Sequence, residues 1–492
     1  MDSGNVIVIG AGLAGLATAS FLRMNGYAVT VLDGAPRAGG VALTRWNPSH
    51  TVEGGVYFFI EHGPGLAAYE LYSALGVLPA DDVRTVELYA RIVDEATGAA
   101  LSVTRDLGAL RRDLLALGPE DERLIDELVK GAHAFEQTDP VKVGFEKPPE
   151  LQGFIDKLSL GWHARNALSI FSNKRLLEQT MAEWLSHAKS PALRAVLGNV
   201  FPHPTVAPWF VMMLLGLLAR GQVGRVTSGA DAFVGRLEKR ALSLGAQFRF
   251  GAQVTRILVE EGRATGVELA DGSRLAASAV VATVDTRQLH ERLLGGGHAD
   301  AHTQERMDRW PLTSPAAFVH FVVAGDFTKE AWLQQIALTE PLAQGTGTFA
   351  SLRFFDRGTS GAGPDETVVQ ISVDVKERDL NEAALVAGAR RLLGRHAPRA
   401  LDAVRITEVV MPRVHEQAVA APDGVTSAWL PTPKALMAQS PRRVPGVERL
   451  YLAGQWAVAG AGVLAVLYSG RHAVQLLCHD EGKAFVRTVP EG

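Results

Sequence analysis

The feature that most constrains the fold is a glycine-rich turn close to the N-terminus. The run Gly10-Ala11-Gly12-Leu13-Ala14-Gly15 follows the β-branched segment Val6–Ile9 and opens a stretch, Leu13–Met24, with apolar residues at helical spacing. A second apolar segment, 28–32, comes after Asn25-Gly26, a pair typical of a helix end. The first 33 residues therefore predict one strand–helix–strand unit with the pattern G-x-G-x-x-G at its turn, which is the signature of a dinucleotide-binding site.

Each glycine of this pattern has its own predicted function. Gly10 permits the tight turn, Gly12 lets the backbone approach a pyrophosphate, and Gly15 lets the helix pack closely on the sheet. The helix N-terminus presents free N–H groups and the positive end of its dipole to the phosphates. Asp33 ends the second strand, 18 residues after Gly15, where a carboxylate can accept hydrogen bonds from ribose hydroxyls. The unit alone does not distinguish NAD from FAD.

Charge and cysteine content exclude several classes of protein. The 492 residues include 49 Lys and Arg against 53 Asp and Glu, a net charge of −4, so no basic surface for nucleic acid is expected. The single cysteine, Cys478, excludes an internal disulfide and a multi-cysteine metal site. No signal peptide is expected, and the most membrane-like run, Trp209–Ala219, has eleven residues where a spanning helix needs about 18. We expect a cytoplasmic protein without a transmembrane segment, and peripheral membrane contact stays open.

The rest of the chain predicts an α/β architecture with helical insertions. Residues from about 100 to 220 are mostly helical in pattern, with a helix start at Gly118-Pro119, and a last helix is expected from about Val463 to Cys478. Apolar segments typical of strands occur at 247–250, 254–259, 265–269, 279–283, 317–323, 368–375 and 449–452.

The residues after Asp33 give the first family resemblance. Arg37 leads to the pair Gly39-Gly40, which Val41 follows. A G-x-G-x-x-G unit followed by an acid and then Gly-Gly resembles the FAD-dependent oxidoreductases of the amine oxidase and phytoene desaturase superfamily. In that superfamily the acid is usually Glu, and an Arg often follows the Gly-Gly pair and contacts the pyrophosphate. Arg37 or Arg45 could replace that arginine in this chain.

A C-terminal segment extends the resemblance. A strand ends at Ala453-Gly454-Gln455, and the loop Gly460-Ala461-Gly462 leads into a helix that begins with Val463-Leu464. This looks like the C-terminal flavin motif of the phytoene desaturase branch, because the amine oxidase branch usually has an acid where Gln455 lies. The helix N-terminus places positive partial charge near the N1–C2 carbonyl edge of a flavin. The alternative is a second dinucleotide fingerprint with Glu481 as its acid, but no strand precedes that residue.

The resemblance implies a fold and a set of site residues. Val254 would contact the adenine side through its backbone, and the strand before Asp285 would re-enter the flavin domain. FAD would be bound non-covalently. The implied cofactor contacts are Gly10, Ala11, Gly12, Leu13, Ala14, Gly15, Asp33, Gly34, Arg37, Gly39, Gly40, Val41, Val254, Gly454, Gln455, Gly462, Val463 and Leu464.

The expected fold class is α/β, with a discontinuous Rossmann-type FAD-binding domain, an interleaved α+β substrate domain and a helical lid. The expected boundaries are 1–75, 221–290 and 431–492 for the FAD-binding domain, 76–220 for the helical insertion and 291–430 for the mixed α+β substrate domain.

No catalytic residue is assigned from the sequence. A flavin performs redox chemistry through hydride transfer at N5, so a protein acid or base is not required. His62, His203 and His320 are candidates for proton transfer, although a structural or surface role is more common for such histidines. Cys478 lies late in the last helix, which favours packing over covalent attachment of the flavin. The histidines show no H-x-x-x-H pairing with a carboxylate, so no metal site is expected.

Three functions are compatible with these motifs. The leading hypothesis is an FAD-dependent oxidoreductase of the phytoene desaturase type, which moves hydride between flavin N5 and the carbon skeleton of an apolar isoprenoid, polyene or similar substrate. A flavin amine or C–N oxidase shares the fold, as does a prenyl-protein-binding module without flavin; intact glycine loops argue against the module. The runs Tyr57–Phe59 and Trp209–Leu215 are predicted as core or, alternatively, as tunnel wall, and Trp209–Ala219 as the entrance of an apolar tunnel.

Overall fold

The structure is a computed structural model that describes residues 4–47, 50–54, 56–201, 203–377, 379–419, 424–425, 428–438, 441–458 and 462–489. The strands are β1 (Val6–Ile9), β2 (Val29–Asp33), β3 (Leu43–Asn47), β4 (His50–Glu53), β5 (Phe59–Ile60), β6 (Val83–Thr85), β7 (Leu88–Asp94), β8 (Ala100–Thr104), β9 (Val223–Val226), β10 (Gln247–Phe250), β11 (Val254–Glu260), β12 (Arg263–Leu269), β13 (Arg274–Ala276), β14 (Ala279–Ala282), β15 (Ala316–Ala324), β16 (Leu333–Ala337), β17 (Thr346–Phe354), β18 (Glu366–Val375), β19 (Val404–Val410), β20 (Arg443–Val444) and β21 (Val447–Leu452).

The helices are α1 (Leu13–Met24), α2 (Ala67–Leu75), α3 (Leu107–Leu117), α4 (Glu122–Glu136), α5 (Pro140–Gly144), α6 (Phe154–His163), α7 (Leu168–Phe171), α8 (Lys174–Glu178), α9 (Met181–Leu185), α10 (Pro191–Gly198), α11 (Pro208–Ala219), α12 (Gly229–Ser243), α13 (Ala301–Arg309), α14 (Glu382–His396), α15 (Pro398–Asp402), α16 (Pro412–Val419), α17 (Pro433–Met437) and α18 (Val463–Asp480). Short 3₁₀ turns cover Gly40–Ala42, Pro119–Asp121, Pro149–Leu151 and Arg165–Ala167, and a π-helical turn covers Gln288–Leu293.

The first sheet has the predicted strand–helix–strand unit at its centre. Its nine strands include the path β10-β2-β1-β14-β21-β12-β11, with β13 beside β12 and β20 beside β21. β10, β2, β1, β14 and β21 are parallel neighbours. Residues of β1 are at most 5% exposed, because α1, α12 and α18 cover one face of the sheet and the β11–β12 hairpin covers the other. A strand covered on both faces needs an unbroken apolar run, which Val6–Ile9 supplies.

The strands expected at 254–259 and 265–269 are present and form part of a small meander. β11 and β12 are antiparallel and joined by the two residues Glu261 and Gly262. Both have positive φ, 47° and 75°, as a tight two-residue hairpin turn of this kind requires. β13 completes the meander next to β12.

The packing of α1 against α18 brings the two glycine-rich loops together. A Cβ atom on Gly470 of α18 would lie 2.8 Å from the carbonyl oxygen of Ala14 and 2.8 Å from Oγ1 of Thr18, so the helices can approach this closely only at a glycine. α1 follows β1, and α18 follows β21, which is parallel to β1 in the same sheet. The N-termini of both helices therefore lie at the carboxyl edge of the parallel strands.

The second sheet has seven strands in the order β19-β15-β18-β17-β16-β7-β8. α14 and α15 pack on one face of it, over a core that includes Val319, Phe321 and Leu352. β16 is antiparallel to β17 and parallel to β7. β7 and β8 lie within 76–220, but β7 pairs with β16 of 291–430, so the two expected regions share one sheet. The domain boundaries stay a prediction.

α11, which contains the apolar run Trp209–Ala219, is mainly a core helix. Most of its side chains are buried, and a Cβ atom on Gly216 would lie 2.8 Å from Cβ of Phe135 on α4. Trp209, Phe210 and Met213 are half-buried. The buried majority of the helix departs from the expected tunnel entrance, since an all-round apolar helix finds its most favourable place inside a core. Within the described segments, no helix combines the length and the apolarity that a bilayer span requires.

Candidate cofactor-binding site

A cavity of about 430 Å³ lies at the carboxyl edge of the parallel strands, next to the first turns of α1 and α18. It brings together segments that are far apart in the chain: the turn after β1, the end of β2, the loop that precedes β3, the end of β14 and the start of α18. Fourteen of the predicted contacts line it: Gly10, Gly12, Leu13, Ala14, Asp33, Gly34, Gly39, Gly40, Val41, Val254, Gly454, Gln455, Gly462 and Val463. Ala11, Gly15, Arg37 and Leu464 are absent from the lining.

Two helix N-termini face this cavity without a side chain to cap them. The N-cap residues are Gly12 for α1 and Gly462 for α18, and neither helix has an acidic residue in its first turn. The first N–H groups of each helix lack partners within the helix, and each helix end carries a positive partial charge. The cavity therefore presents two sites that suit phosphate or flavin oxygens.

The glycines of the first turn occupy their positions for different geometric reasons. Gly10 has a φ of 104°, a conformation that L side chains rarely adopt. Gly12 lines the cavity, and a Cβ atom on it would meet only Cα of Gly40, at 3.9 Å. A Cβ atom on Gly15 would collide with the carbonyl oxygen of Gly10. No described residue fills the space beside Gly12, which lines the cavity, whereas Gly15 is required by the packing of the turn itself.

Asp33 is held in place by the backbone around it. Its Oδ2 accepts a hydrogen bond of 2.6 Å from the N–H of Ala11, and its Oδ1 accepts one of 2.8 Å from the N–H of Ala35. A carboxylate has about four acceptor sites, so two stay available for hydroxyl groups in the cavity. Asp33, which the sequence suggests for ribose binding, thus also holds the turn at Ala11 and the loop at Ala35 in place.

Arg37 does not reach the cavity. Nη1 of Arg37 lies 3.6 Å from Oδ1 of Asp231 on α12, which explains its absence from the lining. The Arg45 side chain lies outside the described residues. Val41 lines the cavity at the position where the superfamily often has arginine. Among the described lining residues there is no Arg, Lys or His, so the helix N-termini and backbone N–H groups are the features that suit an anionic ligand.

The end of β14 supplies a polar group that the sequence indicated only through its strand. Asp285 is 4% exposed and lines the cavity. Its Oδ1 accepts hydrogen bonds from the N–H groups of Arg287 and Gln288, at 2.7 and 3.3 Å, while its buried Oδ2 has no partner among the residues that the structure describes. Burial raises the pKa of this carboxyl group above its ordinary value. A buried acceptor without a donor is costly, so a hydroxyl group of a bound cofactor fits here.

A group of tryptophans borders the C-terminal side of the cavity. The ring of Trp456, which lines the cavity, is 5.1 Å from that of Trp429, and Trp429 is 5.8 Å from Trp310. Gly454 has a φ of 97° and donates its N–H to Oγ of Ser469 on α18, at 2.7 Å. Trp456 was not assigned to the site from the sequence. Its position directly after Gly454-Gln455, which were assigned, could have indicated it.

The three candidate histidines do not line the cavity. Burial lowers the pKa of His62 below its ordinary value and that of His203 to about 4. His320 lies on β15 and forms a hydrogen bond with Gln370. Cys478 is 1% exposed and packs near Tyr27, at the opposite end of α18 from the cavity. None of these side chains acts at the cavity in this structure.

Comparison with known proteins identifies the family. The sequence profile of the family described as flavin containing amine oxidoreductase matches residues 13–478. The neurosporene-forming phytoene desaturase of Rhodobacter capsulatus is 25% identical over 518 residues, covering 96% of this chain and 94% of that protein. The 4,4'-diapolycopene oxygenase of Methylomonas sp is 27% identical over 337 residues, 65% of this chain and 63% of that protein, so the chain matches less than two thirds of the oxygenase.

Among solved structures, cyclohexylamine oxidase from Brevibacterium oxydans has a TM-score of 0.59 and 18% identity over 96% of this chain and 99% of that chain. At this identity the likeness shows the fold alone. The predicted α/β fold and the predicted resemblance to the amine oxidase and phytoene desaturase superfamily are both confirmed. The chain belongs to the flavin containing amine oxidoreductase family, and it is a flavin-dependent oxidoreductase whose sequence is of the phytoene desaturase type.

Proposed function

We propose that this enzyme binds FAD non-covalently in the cavity between α1 and α18 and moves hydride between the flavin and the carbon skeleton of an apolar isoprenoid or polyene. FAD supplies hydride transfer at its N5 atom. The protein supplies binding and orientation: the two uncapped helix N-termini favour the pyrophosphate and the flavin carbonyl edge. Asp33 and Asp285 keep acceptor sites for hydroxyl groups.

Non-covalent binding is supported by the chemistry of the cavity wall. The described residues that line it include Asp, Gln, Thr and Trp side chains, and none of them is Cys, His or Tyr. Attachment of a flavin through a thiol, imidazole or phenol group would need one of those side chains at the cavity wall. Flavin released intact by denaturation of the purified protein, with the mass of FAD, is the expected result.

The observation that carries the substrate class is a connected group of half-buried aromatic side chains, Phe171, Phe201, Trp209 and Phe210, which we name the aromatic cluster. Ring centroids lie 6.3 Å apart for Phe171 and Trp209, 5.9 Å for Trp209 and Phe210, and 5.1 Å for Phe201 and Phe210. Each of the four packs on the helical core without being fully buried. Partly exposed rings of this kind suit an apolar chain, of which each buried CH₂ contributes about 0.8 kcal/mol.

The relatives point in the same direction. Several curated proteins similar to this chain are named as phytoene or hydroxyneurosporene desaturases, and their names refer to apolar polyenes. Gln455, where the amine oxidase branch usually has an acid, lines the cavity. These observations support an isoprenoid or polyene substrate over an amine.

A turnover assay distinguishes the two substrate classes. The purified holoenzyme is incubated in air with phytoene dispersed in lipid vesicles, and in parallel with putrescine and cyclohexylamine. We expect a change in the absorption of the polyene, because gain or loss of a conjugated double bond shifts its spectrum, and no peroxide from the amines. Peroxide formation with an amine, together with an unchanged polyene spectrum, would replace this proposal by an amine oxidase.

Peripheral contact with a lipid bilayer is part of the proposal, and α6 is the segment proposed to make it. Its apolar side chains are unusually exposed: Phe154 78%, Ile155 82%, Leu158 62% and Trp162 66%, with Leu168 54% just beyond it. Arg165 stacks on the ring of Trp162 at 4.4 Å, and Lys157 of α6 is exposed as well. Large exposed apolar side chains beside cations suit the boundary between headgroups and acyl chains.

A further inference from the structure

Arg353 of β17 is a buried cation on the face of the seven-stranded sheet that lies opposite α14 and α15. Its neighbours along the strand, Leu352 and Phe354, belong to the core under α14, so the side chain of Arg353 points to the opposite face of the sheet. Arg353 is only 7% exposed. Trp332, which is close to it, packs on the same helical core as the aromatic cluster. The guanidinium group therefore lies at the border between the sheet and the proposed substrate region.

The contacts of this guanidinium leave its charge uncompensated. Nη1 donates a hydrogen bond of 3.1 Å to Oε1 of Gln370. The group stacks on the ring of Tyr57, 3.4 Å from its centroid, and lies 6.0 Å from that of Trp332. Among the described residues, the buried Nε has no acceptor, and no Asp or Glu side chain is paired with Arg353 within 4 Å. Burial of a cation in this way is expensive unless a ligand compensates for it.

Gln370 connects Arg353 to His320 across three adjacent strands. His320 on β15 is opposite Gln370 on β18, and Gln370 is opposite Arg353 on β17. Because Oε1 of Gln370 accepts from the guanidinium, its Nε2 is oriented to donate to Nε2 of His320, 2.9 Å away. All three side chains are at most 7% exposed. The hydrogen bonds hold Arg353 in one position rather than neutralise it.

The surroundings add further positive charge. Arg225 lies over the same Trp332 ring at 5.4 Å, and Arg225 and Arg84 share a single carboxylate, Asp356, at 2.8 and 2.9 Å. Arg353, Arg225 and Arg84 thus carry three positive charges against one negative charge. An electron-rich oxygen is the group that this end of the region would attract most strongly.

We propose that Arg353, positioned by Gln370 and stacked on Tyr57, binds an oxygen-bearing end of the apolar substrate, and binds a carboxylate more tightly than a hydroxyl group. The inference rests on the proposed function, because it assumes that an isoprenoid chain occupies the neighbouring aromatic region. It narrows the substrate class to apolar chains with a polar terminus. The chain would extend from this end along apolar and aromatic side chains towards the flavin.

Three C20 probes of equal length test the subsite: geranylgeranoic acid, geranylgeraniol and the corresponding hydrocarbon. Dissociation constants are measured by calorimetry with the wild-type holoenzyme, Arg353→Met, Gln370→Glu and the control Arg399→Met. Arg399 is an exposed arginine that stacks on Phe327, a residue of the core on the other face of the sheet. In Gln370→Glu the side chain keeps nearly the same shape but carries a negative charge beside Nη1 of Arg353.

In the wild type and in the control we expect the acid to bind at least about tenfold more tightly than the alcohol, the ratio that one charge-assisted hydrogen bond confers. In Arg353→Met and Gln370→Glu the two constants should agree within about threefold, mainly because the acid binds more weakly. Equal binding of all three probes to the wild type, or an unchanged acid preference in both variants, would overturn the subsite and leave the apolar substrate in place. Binding of none of the probes would contradict the proposed function and the subsite together.

Discussion

At the scale of single residues, the site depends on which glycines face a ligand and which face the protein. Gly12 borders the cavity, and an added Cβ atom there would touch only Cα of Gly40 at 3.9 Å. Gly15 is packed against the carbonyl oxygen of Gly10. The same sequence motif therefore contains one position that is proposed to control cofactor binding and another whose packing requires a glycine.

Substitution at these two positions should have different consequences. We expect Gly12→Val to fold with a melting temperature close to that of flavin-free wild-type protein but to retain less than about one tenth of the flavin, because its side chain occupies the pyrophosphate space. Gly15→Val should fail to fold or should aggregate, since backbone atoms cannot move aside. Flavin content after dialysis and thermal unfolding measure both effects. Full flavin occupancy in Gly12→Val would refute the assignment of this cavity.

Glu61 is a second residue with a testable environment. It is fully buried, and the N–H of Val141 donates to its Oε1 at 3.4 Å. Burial, followed by the nearby charge of Asp139, raises the pKa of Glu61 to about 8. The side chain is therefore protonated in the folded protein at neutral pH.

The raised pKa of Glu61 determines how the stability of the protein changes with pH. Between its ordinary value of 4.5 and about 8, Glu61 is ionised in the unfolded chain but still protonated in the folded one. The free energy of unfolding should therefore fall as the pH rises through this window. We expect Glu61→Gln to remove that loss and to be more stable than the wild type at pH 8.5 by roughly 2–4 kcal/mol.

Urea denaturation at pH 5.5, 7 and 8.5 measures this effect. Glu70→Gln is the matched control, because Glu70 is exposed on α2. A wild-type protein whose stability does not decrease across the window relative to Glu61→Gln would contradict a buried, protonated Glu61.

The sequence predicted the glycines of the cavity and Asp33 better than Asp285 and the basic and aromatic residues around it. Spacing around a strand and a helix start fixes where Gly12 and Asp33 lie, since the turn geometry is local. The partner of a long side chain is not local: Arg37 meets Asp231, which is 194 residues away. Trp456 and Asp285 reach the cavity only because β14 and β21 become neighbours in the sheet.

At the scale of secondary-structure elements, two apolar helices have opposite environments. α11 is apolar on nearly every side and is buried against α4. α6 mixes apolar and polar residues, has no buried residue and exposes its large side chains. The sequence predicts α11 either as core or as the wall and entrance of a tunnel. A helix that is apolar all round belongs in a core, whereas an amphipathic helix suits an interface.

Vesicle binding tests the proposed contact of α6. The double variant Ile155→Ser/Trp162→Ser should bind at least about tenfold more weakly to phosphatidylcholine–phosphatidylglycerol vesicles, because each large apolar side chain contributes about 1.5–3 kcal/mol on burial. Both residues are exposed, so thermal stability should be unchanged. Leu242→Ser on α12, where Leu242 is 51% exposed, should bind like the wild type. Co-sedimentation of the double variant at the wild-type level would exclude α6 as the contact.

At the scale of the whole molecule, the chain builds two sheets whose strands are not consecutive. The parallel sheet could be predicted because the strand–helix–strand unit and the meander are local patterns, and their bounds differ from the predicted ones by few residues. The seven-stranded sheet could not be predicted in full. Its pairing of β7 with β16 joins Arg91 to Gln334, and no periodicity in the sequence specifies a contact over that separation.

We propose above all that electrons pass between a flavin in this cavity and an apolar carbon skeleton. Anaerobic photometry of the bound flavin tests it most directly, with phytoene in vesicles, a polyene of longer conjugation and putrescine as the three reactants. We expect one of the polyenes to bleach the oxidised flavin, or to restore the colour of chemically reduced flavin, within the first turnover, while putrescine leaves both states unchanged. Bleaching by putrescine, with neither flavin state responding to a polyene, would contradict the account.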